Sequence, residues 1–169
     1  MQQEKVLLSA TLGFLVKDNN VLLAIKTKKI GQGCWNGYGG GIEQESSEES
    51  ILRELAEEAK IEVAKHSLEK VAVIDFHNTK TDGTTFTCKV HVYLVYEWVG
   101  EVQPTDEMAI PTWFEKTRLP LENMMLADKV WLPVVLAGKK IIAQASYGPF
   151  QRTLLGEVEI THVDSLSEK

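Results

Sequence analysis

Residues 35–61 read WNGYGGGIEQESSEESILRELAEEAKI, and two signals meet in them. The first is a loop with four glycines, Gly37, Gly39, Gly40 and Gly41. The second is a helix. Ser46 with Glu49 three residues on has the form of a capping box, in which hydroxyl and carboxylate reciprocally satisfy backbone N–H groups at a helix start. Ile51, Leu52, Leu55, Ala56 and Ala59 then recur at helical spacing and make one apolar face. Glu54, Glu57 and Glu58 emerge together on roughly the opposite face. Like charges at this spacing repel, and near a helix C-terminus the macrodipole disfavours anions further. On the residues alone two readings are open: a solvated acidic face, or a set of hard oxygen donors whose repulsion a divalent cation such as Mg²⁺ relieves.

Working outward, residues 6–16 (VLLSATLGFLV) predict a largely buried strand and residues 17–20 a turn. Residues 21–25 predict a second strand, followed by the basic run Lys26-Thr27-Lys28-Lys29, either a solvated loop or a source of a phosphate contact, with Lys26 the candidate. After the helix, strands are expected over 70–76 and 84–98, joined by an Asp82-Gly83 turn, with Phe86, Cys88, Val90, Val92, Leu94 and Tyr96 on one face of the second. A polar loop is expected over 100–111, a short strand over 112–114, and a helix over 121–136 closed by Gly138. Strands are expected over 139–146 and 153–163, with a frayed tail over 164–169. Strands outnumber helices, and the second helix comes late, which suits a mixed sheet covered by helices on both faces. No repeat, linker or composition shift divides residues 1–169, so one domain is expected.

With 169 residues, 44% of them hydrophobic, the chain is long enough to bury a sizeable core. Its net charge of −6 leaves no broad basic surface for a nucleic-acid polymer. A polyanion would have to be held locally, through metal ions and a few placed cations. Two cysteines, Cys34 and Cys88, suggest a reducing compartment rather than a disulfide framework and lack metal-ligand spacing. Residues 1–5 lead into only a short apolar run, and no stretch reaches the roughly 20 apolar residues of a membrane span, so no leader, no membrane contact and a cytoplasmic location are expected.

The order of residues in 39–61 resembles the Nudix box, G-x5-E-x7-R-E-U-x-E-E-x-G-U with U apolar. Gly39, Glu45, Arg53, Glu54, Leu55, Glu57, Glu58 and Ile61 all match, and Lys60 alone departs, standing where the family has a glycine. That glycine ends the helix in a left-handed conformation, which for lysine costs on the order of 1 kcal/mol. The resemblance implies an α/β/α sandwich with a mixed β-sheet between helices. It implies hydrolysis of a nucleoside diphosphate linked to another group, with Mg²⁺, or Mn²⁺ in its place, neutralising the diphosphate and orienting its oxygens. By position, Glu54, Glu57 and Glu58 would be metal ligands, with the carbonyl of Gly39 or its neighbour. Arg53 would pair with Glu45 and hold the box in register, and Glu57 or a loop residue would serve as general base. Glu107, after the long strand, matches a further metal-binding and catalytic glutamate of close relatives, an assignment that rests on the resemblance alone.

Outside the box the chain is similar to the MutT-like branch that hydrolyses oxidised purine nucleoside triphosphates. The similarity runs through WNGYGG, residues 21–33 (VLLAIKTKKIGQG), 106–114 (DEMAIPTWF) and 128–133 (DKVWLP), and loosens after about residue 140. It implies release of pyrophosphate from a nucleoside triphosphate such as 8-oxo-dGTP, clearing damaged nucleotides from the pool. Asn36 and Asp128 would hydrogen-bond the base, Phe76 would wall the pocket, and Thr11 and Lys26 would line it. Taken without the resemblance, Asn36 reads as a turn former, Asp128 as a helix residue, and Phe76 and Trp131 as core. Three departures bear on the base: Met125 and Ala127 replace a tryptophan and one of two aspartates, and Ile30 replaces a pocket aromatic. Hydrolysis of ADP-ribose, a dinucleotide polyphosphate or a nucleotide sugar is the alternative. Against ADP-ribose, that subfamily carries a proline shortly after the box, whereas no proline occurs between Ile61 and Pro104. A non-catalytic nucleotide sensor is the third reading, and the intact box carboxylates oppose it. No dimer seam is visible, so a monomer is expected.

Overall fold

The computed structural model describes residues 6–167. Met1–Lys5, where the absence of a leader was expected, and the last two residues of the tail lie outside the described residues. Among the described residues nine strands run in chain order: β1 (Ser9–Lys17), β2 (Asn20–Lys26), β3 (Trp35–Asn36), β4 (Tyr38–Gly41), β5 (Leu68–Thr79), β6 (Thr85–Val95), β7 (Met108–Glu115), β8 (Lys140–Tyr147) and β9 (Glu159–Val163). The helices are α1 (Ser47–Glu58) and α2 (Asp128–Leu136). The sheet is mixed, ordered β3-β2-β1-β6-β5-β8-β9, with β4 added on β1 and β7 on β2. Strand β1 runs parallel to β6 and antiparallel to β4, and β5 runs parallel to β8.

Alternation along the central strands builds a core on each face. Phe14 and Val16 of β1, with Val21 and Leu23 of β2, enter one core together with Trp131, Leu132 and Val135 of α2. Leu15, Leu22 and Ala24 enter the other with Ile51 and Leu55 of α1. Each helix therefore covers one face, and the α/β/α sandwich follows from strands that are apolar on both sides. Gly13 lets α1 come close, since a Cβ there would lie 2.8 Å from Ile51 Cδ1. On the other face Phe14 meets Trp131 edge-on at 6.1 Å.

Several boundaries differ from the sequence expectation, each for a physical reason. The capping box is half formed: Ser46 Oγ accepts the Glu49 N–H at 3.1 Å, but the Glu49 carboxylate accepts from the same hydroxyl rather than from the Ser46 backbone. The helix expected over 121–136 is a one-turn 3₁₀ segment at Leu121–Asn123 followed by α2, because Met124 is extended and the Ala127 N–H goes to the Tyr147 hydroxyl at 2.7 Å. Strand β7 starts at Met108 rather than residue 112, pairing along β2 across a bulge, with Ile110 in left-handed backbone (φ 51°). Tyr96 lies beyond β6, half exposed, its hydroxyl donating to Glu69 at 2.6 Å. The last strand covers only Glu159–Val163, and Leu154 forms an isolated bridge to Tyr147. The described part of the tail is tied down, since buried Lys70 donates from Nζ to the Ser167 carbonyl at 2.7 Å. Among the described residues no helix is long and apolar enough to cross a membrane.

Helix α1 ends as the lysine at the glycine position implies. Lys60 has φ 61°, and the Ala59 and Ile61 N–H groups both return to the Leu55 carbonyl. Lys60 is exposed, so its strain is local. Replacing Lys60 by glycine should raise unfolding stability by about 1 kcal/mol, read as a higher urea midpoint at unchanged slope.

Candidate active site

Arg53 is the hub of the acidic rim of α1. Its Nε donates to both Glu45 oxygens at 3.2 Å and its Nη2 to Glu45 Oε1 at 2.6 Å. Nη1 reaches Glu54 Oε1 at 3.1 Å and, one helical turn on, Glu57 Oε2 at 3.4 Å, while Nη2 also touches the Gly41 carbonyl at 3.4 Å. A planar fork of five donors suits this multidentate task where a lysine would not. The guanidinium holds the Glu45 carboxyl below the ordinary range, and Glu45 raises Arg53 in turn. Arg53 and Glu45 are thus brought together as the family resemblance implied.

The remaining carboxylates are pressed against the glycine stretch, whose Gly39, Gly40 and Gly41 belong to strand β4 rather than to the loop expected. Glu54 and Glu58 lie on the buried face of α1 with Ile51 and Leu55 rather than opposite it, while Ala56 is exposed. Glu54 is buried, and burial pushes its carboxyl up, opposed by Arg53. A Cβ on Gly40 would lie 2.5 Å from Glu54 Oε1, so only glycine leaves room for this carboxylate beside the strand backbone. Glu58 is also buried and accepts the Gly39 N–H at 3.0 Å. Burial, a hydrogen bond shared with Glu107 and the charge of Glu54 raise the Glu58 carboxyl well above its usual range, while the partner Glu107 is lowered. Glu57 is the exposed member, and among the described residues it has a long contact to Arg53.

Glu107 arrives from a loop that is fastened to the basic run. Thr27 N–H donates to the Glu107 carbonyl at 3.1 Å, and the Thr27 hydroxyl donates to the Asp106 carbonyl. Lys29, Lys28 and Lys26 all lower Glu107 electrostatically, so the basic run faces this rim. Five carboxylates, the glycines of β4 and three lysines therefore share one edge of the molecule.

The donor chemistry of this edge fits a hard divalent cation: the side chains are oxygen donors, with no thiol or imidazole among them. They are gathered without being closed into a cage. Among the described residues no three histidine, cysteine or acidic side chains already converge as a metal site. Arg53 stands between Glu54 and Glu57, and Glu58 is turned onto Gly39 and Glu107.

A second polar group lies at the start of α2. Asp128 is buried, its Oδ1 accepts the Trp131 indole N–H at 2.9 Å, and burial pushes its carboxyl up to about 7. Lys26 and Cys34 lie near enough to interact with it electrostatically, and Met125 Sδ packs over Gly31 beside the Lys26 stem. Phe76 is core-packed on this face and stacks on Tyr147 at 6.0 Å, and Tyr147 borders Asp128. Asn36 ends β3, and its Oδ1 accepts the Gly37 N–H at 2.8 Å. Thr11 does not join this group. It lies on the α1 face, buried, with its hydroxyl 3.2 Å from Ser50 Oγ, and so it ties strand to helix instead of lining a pocket beside Asp128. Tyr147 and Cys34 were not anticipated. Tyr147 sits on a strand far along the chain, and no local pattern connects it to Asp128.

Residues 7–135 match the family model described as the NUDIX domain. The chain is 32% identical over 158 residues to the oxidized purine nucleoside triphosphate hydrolase of Danio rerio, covering 92% of this chain and 96% of that one. It is 31% identical over 156 residues to the enzyme of the same name from Mus musculus, covering 92% and 95%. Among solved structures it resembles the MutT protein of Bacillus halodurans with a TM-score of 0.77, 24% identity and coverage of 91% and 97%, a likeness of fold.

The glycines of β4 separate two kinds of damage. A Cβ on Gly39 would lie 1.9 Å from the Thr11 carbonyl oxygen, a collision of backbone with backbone, so Gly39→Ala should fail to give folded protein. Gly40→Ala meets a movable carboxylate, so it should keep its circular dichroism and cooperative unfolding yet lose most turnover as Glu54 is displaced.

Proposed function

The chain belongs to the Nudix family and is a Nudix hydrolase, and from that premise we propose that it cleaves a purine nucleoside triphosphate to the monophosphate and pyrophosphate, with oxidised dGTP such as 8-oxo-dGTP as substrate. The observation that carries this reading is the seating of Glu54 and Glu58 of α1 against Gly40 and Gly39, which sets an acidic rim beside a basic hairpin. Two relatives at 31–32% identity bear the name oxidized purine nucleoside triphosphate hydrolase, which supports the substrate class.

Glu54, Glu57, Glu58 and Glu107, with a carbonyl of the β4 glycines, would hold Mg²⁺, or Mn²⁺ in its place. A divalent ion there supplies charge neutralisation and orientation of the diphosphate oxygens. Arg53 holds Glu45, Glu54 and Glu57 in register. Glu57, exposed and loosely held, takes the proton of the attacking water. Lys26, Lys28 and Lys29 offset the charge of the polyphosphate. Asp128, with a carboxyl near neutrality, can donate to or accept from a purine edge, and a base that leaves it unpaired is disfavoured. The chain would do this as a single-domain monomer.

A second reading keeps the chemistry and changes the nucleoside diphosphate derivative. It rests on Met125, Ala127 and Ile30, which leave the base site with one carboxylate and without an aromatic platform.

Steady-state pyrophosphate release from 8-oxo-dGTP and dGTP, with an ADP-ribose reaction beside them, separates the two. We expect kcat/KM for 8-oxo-dGTP to exceed that for dGTP by more than about tenfold, with turnover abolished by EDTA. Glu57→Gln should lower kcat by about 10²–10⁴-fold. Equal rates on the two triphosphates, or preference for ADP-ribose, would overturn the substrate assignment, and full turnover by Glu57→Gln would overturn its role.

A further inference from the structure

The carboxylates of the rim come from two elements that have to be locked together. Glu54, Glu57 and Glu58 ride on α1, whereas Glu107 closes a loop that leads into β7. A helix C-terminus leaves four carbonyls without intrahelical partners, and this loop supplies donors to the end of α1. Gln103 N–H donates to the Ala59 carbonyl at 3.1 Å, and the Thr105 hydroxyl donates to the Glu58 carbonyl at 2.9 Å. The same hydroxyl accepts the Met108 N–H at 3.3 Å, and Thr105 N–H reaches the Met108 carbonyl at 2.9 Å. One side chain thereby joins the backbone of Glu58 to the residue next to Glu107. A hydroxyl serves here because it donates and accepts at once. On its other flank Glu107 is held through its carbonyl by Thr27 N–H.

We propose that Thr105 is a positioning residue for the cation site, its hydroxyl setting the separation of the Glu58 and Glu107 carboxylates. The proposal rests on the reading of those two carboxylates as cation ligands. The Thr105 hydroxyl is engaged by backbone on both sides, at the Glu58 carbonyl and the Met108 N–H. It acts by fixing the backbones that carry two ligands, as groups behind a metal's direct ligands do.

The test is Mn²⁺ titration of the full chain, followed by the electron paramagnetic resonance signal of free Mn²⁺, for the wild type, Thr105→Val, Thr105→Ser and Glu107→Gln. Thermal unfolding of each protein in EDTA accompanies it. Valine keeps the shape and removes both hydrogen bonds, whereas serine keeps both. We expect Thr105→Val to weaken Mn²⁺ binding about tenfold, Thr105→Ser to stay near the wild type, and Glu107→Gln to weaken it as well. Thr105→Ala serves the same comparison should valine unfold the loop. Wild-type affinity in Thr105→Val or Thr105→Ala, with Glu107→Gln impaired, would overturn the role of Thr105 while leaving the ligand reading intact. Wild-type affinity in Glu107→Gln would overturn the ligand reading and Thr105 with it.

Discussion

The fork of hydrogen bonds from Arg53 is the interaction on which the site depends. Helix α1 carries Glu54, Glu57 and Glu58 within one turn and near its negative end, an arrangement unstable in isolation. Arg53 reaches this face through Glu54 and Glu57 and binds back through Glu45 and the Gly41 carbonyl at the end of β4. Neither Arg53 nor Glu45 is fully exposed, and the contact is multidentate, so it outweighs the roughly 0–1 kcal/mol of an ordinary surface pair. Loss of the guanidinium would release the loop and the carboxylates together.

Backbone proximity is the complementary constraint. Gly13 admits Ile51 of α1, Gly39 passes against the Thr11 carbonyl, and Gly40 leaves the space that Glu54 occupies. The packing that seats the helix on β1 is thus the packing that sets its carboxylates beside β4. Fold and site are built by the same few close approaches.

What could be seen in the sequence follows from how local each feature is. The α1 helix and its serine cap are governed by short, regular spacings, and the Arg53–Glu45 pairing and the left-handed backbone at Lys60 are what the family resemblance implies. The structure has all four, although Glu54 and Glu58 share the buried face with Ile51 and Leu55. The face on which Thr11 lies was not legible, because residues 6–16 are nearly continuous in apolar character and a strand buried on both sides carries no alternating signal. The helix expected over 121–136 was overextended for a tertiary reason: the Tyr147 hydroxyl takes the Ala127 N–H from a distant strand. Thr105 and Thr27 gave no signal, since a loop hydroxyl that caps another element's end is defined only by the fold. The same holds for Gly40, whose role is visible only once Glu54 is seen against it.

The central claim is that the acidic rim of α1 is a divalent-cation site whose repulsion the bound ion relieves. An ion that binds the folded chain and not the unfolded one raises its stability in proportion to the logarithm of concentration over dissociation constant. The direct measurement is thermal unfolding of the wild-type chain, without nucleotide, across a Mn²⁺ series and in EDTA. We expect a Tm that climbs with Mn²⁺ concentration above its value in EDTA. The same Tm in EDTA and at every Mn²⁺ concentration would contradict it.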